Sequence, residues 1–319
     1  MHASGPHTVK HGNSVFSFTQ SPRYTYSNRS HDAQIARTMA FAKLSNLKAC
    51  GKRLRRNADP WPVARDCVKA DTSAVVRPEA VSRRHDVIVT ASSHNHRHAL
   101  VSFLEYYTRC GIGVRLVVYD LDSDGFELTD SRFERRKFQY DRYPSWVRAE
   151  GGPRPAGEYA WKALIVQEVA SEPEVRRVLW LDAGTRIPDA ASAFRRLTRS
   201  RGLLSVPSAG PLRKFIRPEM LRRFGAEAMA SEMSMLCNGA FIGLHTGSET
   251  ARALLREWRA CSLDLECIAP GNSTRRDHRQ DQAALTVLAW KHHVQGTCTR
   301  QIVSLIVHVE GVKVPCAAA

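Results

Sequence analysis

At 319 residues the chain is too long for a minimal module and fits one large α/β domain preceded by an irregular arm; 43% hydrophobic and 24% charged residues allow a sizeable core and exclude a wholly disordered chain. A formal charge of +16 and a pI of about 9.9 favour anionic partners: nucleic acid, an acidic membrane surface or phosphate-bearing small molecules. The basic residues fall in scattered clusters (Arg53, Arg55 and Arg56; Arg135, Arg136 and Lys137; Arg195, Arg196, Arg199 and Arg201; Arg275, Arg276 and Arg279), which argues against a single docking stripe and reads most simply as solvated faces.

Eight cysteines, and N-x-S/T sequons beginning at Asn28 and Asn272, fit an oxidising lumen, so residence in the Golgi or ER is expected, or in the cytoplasm if the thiols are free. Cys261 and Cys267 are the nearest candidate pair among the later cysteines, while Cys110 reads equally well as a buried free thiol. No run of about 18 apolar residues occurs, and the N-terminus lacks a signal-peptide apolar segment. Membrane contact is therefore expected only through a targeting segment that this sequence does not contain.

Residues 1–84 are rich in Ser, His, Asn, Arg and Pro without a sustained period, and read as a stem, linker or disordered arm; residues 85–319 read as the catalytic domain. DVIVTASS (86–93) is a short β-branched run ending in small polar residues, as a buried parallel strand ends at a ligand crevice. Leu100, Phe103, Leu104 and Tyr107 then give an amphipathic helix stopped by Gly111, and 114–120 a second parallel strand. The spacing predicts a helix over 158–170, a strand over 178–182, strands over 239–244 and 302–309, and a helix over 278–290 whose start has Asp277 and Gln280 spaced like a capping box. This alternation predicts an α/β fold, a mostly parallel sheet with helices on both faces, without the GxGxxG of a dinucleotide-binding dehydrogenase.

Asp182 directly follows the apolar strand, so its carboxylate emerges at the carboxyl end of the sheet, where open α/β folds bind ligands; Asp and Gly are also ordinary turn residues. Trp161 and Lys162 on a helix, LDAGTRI (181–187), CNGAFIGL (237–244) and HRQDQAAL (278–285) together resemble a GT-A nucleotide-sugar glycosyltransferase. In order and rough spacing the chain is similar to glycogenin-like and galactinol-synthase-like enzymes and related eukaryotic families, over roughly 86–313. The resemblance implies an Asp-x-Asp motif at the strand end that holds Mn²⁺ against the donor diphosphate, neutralising phosphate charge and stabilising the leaving group. Here the second Asp is Gly184, so either Asp182 binds the metal with other ligands, or the site is metal-free and basic residues neutralise the phosphates.

HVEGVKVP (308–315) resembles the end of the glycogenin-like enzymes, with His308 as a metal ligand and Lys313, one residue short in spacing, at a phosphate. Lys162 shares a stripe with Ile165, Val166 and Val169 and points towards the sheet, to reach a phosphate or solvent. Asn238 and Gly239 resemble the segment lining the sugar and acceptor side, or form a turn before a strand. Asp281 and Gln282, in the first turn of their helix, are the expected catalytic residues, Asp281 near the reacting sugar or acceptor, although a helix dipole favours an acid there for local reasons. The expected activity is sugar transfer from a nucleotide-diphosphate donor, a UDP-sugar first, to a hydroxyl of a glycan, protein or small molecule, with no nucleic-acid partner. The alternative is a non-catalytic basic protein, binding RNA or anionic polysaccharide on a degenerate GT-A scaffold.

Overall fold

The computed structural model describes residues 7–11, 14–18, 85–110, 112–121, 127–128, 130–299 and 316. In chain order the strands are β1 (His7–His11), β2 (Ser14–Phe18), β3 (Asp86–Ser92), β4 (Arg115–Asp120), β5 (Glu127–Leu128), β6 (Phe133–Lys137), β7 (Arg177–Leu181), β8 (Leu203–Leu204), β9 (Pro207–Pro211), β10 (Met235–Cys237) and β11 (Phe241–His245). The longer helices that build the core are α1 (Arg97–Arg109), α2 (Trp161–Ala170), α3 (Ala190–Arg199), α4 (Glu249–Ser262) and α5 (Gln280–Lys291).

The main sheet has the order β6–β4–β3–β7–β11–β8. Its β6–β4, β4–β3 and β3–β7 pairs are parallel, and only β11 runs against its neighbours. The fold is therefore the α/β class expected, mostly parallel with one reversed strand. β3 is buried along all seven residues, which is why DVIVTAS lacks the polar alternation of a half-exposed strand. Successive side chains go to opposite layers. Val87, Val89, Val178 and Trp180 pack with α2, α4 and α5, while Ile88, Leu179 and Leu181 pack with α1 and α3. Each such side chain contributes about 1.5–3 kcal/mol by leaving water. At the amino edge of β7, Arg177 grips buried Asp86 with two bonds of 2.5 and 2.9 Å, locking β7 against β3.

Two expectations need correction. The helix predicted from 158 begins at Trp161, because Ala156, Gly157, Glu158 and Tyr159 have φ of 49, 58, 51 and 57° and form a left-handed turn. Gly157 permits it: a Cβ there would collide with the Val147 carbonyl. The expected capping box at α5 is also absent. Asp277 Oδ1 accepts from Thr274 N at 2.8 Å and Thr274 Oγ1 at 2.9 Å, closing its own turn, and Arg279 stands at the N-cap without a side-chain cap.

β1 and β2 form an antiparallel hairpin whose second strand pairs with β5, two strands not anticipated within 1–84; the rest of that arm and the strand expected over 302–309 lie outside the described residues. Disulfides join Cys110–Cys316, Cys237–Cys298 and Cys261–Cys267. The short pair is the one expected, whereas Cys110 is bonded rather than free. Such bridges fit an oxidising compartment. Among the described residues no helix is long and apolar enough to cross a membrane.

Candidate active site

β7 ends at Leu181 and hands the chain to Asp182 at the carboxyl edge of the sheet. The turn reading and the site reading of Asp182 hold together: its carbonyl accepts from Thr185 N at 2.8 Å, while its N–H donates to Ala240 O at 3.1 Å and ties it to the segment before β11. Trp180, two residues back on the same strand, donates Nε1–H to Asp182 Oδ1 at 2.7 Å and orients the carboxylate.

Lys162 arrives from α2, whose inward stripe carries it beneath the sheet edge. Its ammonium lies 3.1 Å from Asp182 Oδ1, 2.9 Å from Asp281 Oδ2 and 3.0 Å from the Gly239 carbonyl, and 5.4 Å from the Trp180 ring centre. An ammonium has three protons, and three oxygens from three separate elements surround it. The contact with Asp281 lies off the line of a hydrogen bond, so that oxygen is compensated by charge rather than by a directed proton. Burial alone would push the Lys162 proton off, but Asp182 and then Asp281 outweigh it and hold the lysine above its ordinary value. The two carboxylates differ in access: the Asp182 side chain is 36% exposed and the Asp281 side chain 4%. Asp182 therefore faces the solvent side and Asp281 the protein side of one ammonium.

Asn238 and Gly239 close the third wall. Asn238 donates its backbone N–H to Val206 O at 2.8 Å, and its Oδ1 accepts from Ala240 N at 2.8 Å, so the side chain turns the chain into β11. A Cβ on Gly239 would stand 3.3 Å from Gln282 Cβ and 3.5 Å from Asp281 Oδ2, so glycine lets the strand entry press on the start of α5. Gln282 Nε2 donates to Cys237 O at 2.7 Å, and Cys237 N donates to Thr286 Oγ1 at 3.1 Å; the end of β10 is thereby pinned along α5. The Cys237–Cys298 bridge anchors the same strand covalently.

Six residues expected from the sequence (Lys162, Asp182, Asn238, Gly239, Asp281 and Gln282) thus meet at one place, while His308 and Lys313 lie outside the described residues. Sequence reasoning missed His278, the first residue of HRQDQ. It is fully buried, its Nδ1 accepts from Arg217 N at 3.3 Å, its Nε2–H donates to Ile268 O at 3.1 Å, and burial pushes it down to about 4. It stays neutral at pH 7 and fixes the entry to α5. No spacing rule would have singled it out, because its partners are backbone groups of two separate segments, at Arg217 and Ile268.

Among the described residues no three His, Cys, Asp or Glu side chains converge as metal ligands. The two carboxylates that do converge, Asp182 and Asp281, share an ammonium instead. The described donor set does not fit a divalent cation.

No family model and no curated protein matches the chain. Among solved structures, it is similar to the galactosyltransferase LgtC in complex with donor and acceptor sugar analogs, at 12% identity over 71% of this chain and 88% of that one, with a TM-score of 0.40. Mouse xyloside xylosyltransferase 1 in its apo form matches at 11% identity over 68% and 83%, TM-score 0.41. The glycosyltransferase GlyE of Streptococcus pneumoniae TIGR4 matches at 10% identity over 68% and 45%, TM-score 0.38. These are distant likenesses to glycosyltransferase structures and assign no family.

Proposed function

We propose that residues 85–319 form a glycosyltransferase that moves a sugar from a nucleoside diphosphate donor, a UDP-sugar first among candidates, to an acceptor hydroxyl, in the lumen of the ER or Golgi. One observation carries this reading: an exposed carboxylate (Asp182), a buried carboxylate (Asp281), a lysine and a glycine-permitted backbone wall converge at the carboxyl edge of a mostly parallel sheet. In the reaction the acceptor oxygen bonds to the anomeric carbon, the bond from that carbon to the terminal phosphate oxygen breaks, and the nucleoside diphosphate leaves with the electron pair. The acceptor proton must pass to a base. Asp182 stands at the diphosphate side; Gln282, half-exposed beside Gly239, and Asp281 behind it stand at the reacting sugar. Lys162, hydrogen-bonded to the Gly239 carbonyl and ion-paired to both carboxylates, holds these groups in register rather than reaching out to a phosphate. Mn²⁺ is the metal the resemblance implies; with Gly184 at the second motif position and an ammonium between the carboxylates, no step is derived through it.

A thermal-shift screen of nucleotide sugars, followed by product detection with the best donor, tests the proposal, because a ligand bound only by the folded state raises its melting temperature. Absence of any shift with every nucleotide sugar, in EDTA and in Mn²⁺, sinks it. The charge of +16 favours a second reading, a basic binding protein for RNA or anionic polysaccharide. RNA affinity that falls steeply with salt, alongside no nucleotide-sugar shift, selects that reading.

A further inference from the structure

The charge balance of the site raises a question that its known members do not answer. One ammonium faces two carboxylates, so the cluster of Lys162, Asp182 and Asp281 has a carboxylate in excess and repels a diphosphate. Positive charge must come from elsewhere. Just ahead of Asp281, Arg275 lies with its guanidinium 4.2 Å from the ring centre of Tyr159, and Arg279 lies 4.5 Å from that of Phe215. Neither guanidinium makes an ion pair or side-chain hydrogen bond with any described residue, whereas Arg217, Arg223, Arg177 and Arg154 nearby in sequence or fold all hold carboxylates.

We propose that Arg275 and Arg279 are the diphosphate-binding pair of the donor site, supplying the charge that a divalent cation would otherwise bring. The inference rests on the nucleotide-sugar reading above. Stacking on an aromatic face fixes the plane of a guanidinium and leaves its N–H edges free, the geometry that takes two oxygens of a phosphate at once. Each ring is itself held by design of the backbone. The left-handed turn from Ala156 to Tyr159 presents Tyr159 to Arg275, and such conformations persist where surrounding structure demands them. Arg279 N–H donates to Phe215 O at 3.0 Å, which sets its side chain over the ring of the same residue. Burial, and next the charge of Arg275, lower the proton affinity of Arg279 and outweigh the pull of Asp281, as expected of two cations held close together. Arg279 is the N-cap of α5, without a side-chain cap, two residues ahead of Asp281.

The test is calorimetric titration of UDP into the full chain, in EDTA and then in Mn²⁺. The expected result is affinity within about threefold in the two buffers, an about tenfold loss for Arg275→Ala and again for Arg279→Ala, and partial recovery in Arg279→Lys, which keeps the charge but not the fork. Arg256→Ala, an exposed arginine of α4, should bind as wild type. Arg279 is half-buried and its Ala variant needs a melting curve beside it; Arg275 is exposed, and its variant alone keeps the test decisive. UDP binding that survives both Ala substitutions, or that appears only with Mn²⁺, overturns the arginine assignment and leaves the donor site standing. No UDP binding in either buffer overturns the donor-site reading, and this inference with it.

Discussion

Lys162→Met removes a charge and little volume from the centre of the site, and its cost can be worked from the contacts. Deleting one partner of a buried charge set costs about 3–5 kcal/mol, because the remaining charges stay desolvated. Asp182 is 36% exposed and can recover water, so the lower figure, about 3 kcal/mol, applies. In a domain of this size that lowers the melting temperature by about 6–12 °C. The pH dependence separates this mechanism from simple loss of packing. In the wild type the lysine is held above its ordinary 10.5, so its contribution is complete below that pH and is lost only as pH rises through the raised folded value; nothing in it changes between pH 8 and 5. In the variant the two carboxylates face each other without a cation and take up a proton on folding, so the deficit should shrink from pH 8 to pH 5. Adding Asp281→Asn should restore at least about 1 kcal/mol, measured as coupling in a double-mutant cycle by thermal unfolding followed with far-UV circular dichroism. A Lys162→Met protein that melts within about 1 °C of wild type at pH 8, or a strictly additive double variant, would refute the reasoning.

Asp182→Ala leaves Lys162 balanced by Asp281 alone, so with unchanged circular dichroism UDP should bind at least about threefold more tightly in EDTA, and unchanged UDP affinity in that variant moves the donor site elsewhere. Asp281→Asn keeps shape and removes charge; nucleotide affinity should stay within a few fold while kcat drops by about 10² or more, and turnover above about a third of wild type at saturating donor withdraws Asp281 from the reacting centre. His278, lowered to about 4 from 6.5, contributes stability that is present above pH 6.5 and is lost as pH falls towards 4, about 3 kcal/mol in all, so the difference between wild type and His278→Gln should narrow over that window; a constant difference contradicts it. Cys237 and Cys298 close a loop of 61 residues, so Cys298→Ser should cost about 4 kcal/mol and weaken nucleotide binding by loosening Asn238, and retention of full affinity would separate the bridge from the site.

What could be read in the sequence was local. The apolar runs within 86–92 and 177–181 announced buried parallel strands because both of their faces are covered, and the small or acidic residues that end or follow them, Ser92 and Asp182, marked the edge where open α/β sheets bind ligands. The reversed direction of β11 could not be read in the same way. GAFIGL is apolar in either direction, and its antiparallel register to β7 is set by tertiary pairing such as Phe241 with Leu181. The failed capping box has the same cause. Asp277 and Gln280 have the right spacing, but Thr274 competes for the Asp277 carboxylate and wins by closing a tighter local turn.

The site shows the limit most clearly. Lys162, Asp182, Gly239 and Asp281 were each visible as single residues at the ends of predicted elements, and for each a local reason sufficed: a stripe, a turn, a strand entry, a helix dipole. What no local pattern contains is that one ammonium sits within 3.1 Å of oxygens from the other three. That convergence makes each local reason insufficient. A solvent-directed lysine would not be buried beneath two carboxylates, because burial of an unpaired ammonium costs several kcal/mol and burial of Asp281 without it as much again. Each of the charges is tolerable only because the others are present, so the cluster is stable as a set and poorly so in parts. Natural selection for stability alone reaches a well-packed apolar edge more easily than such a set. The arrangement is therefore better explained by what it presents outward, the exposed Asp182 carboxylate and the half-exposed Gln282 held at fixed spacing, than by what it contributes to the fold.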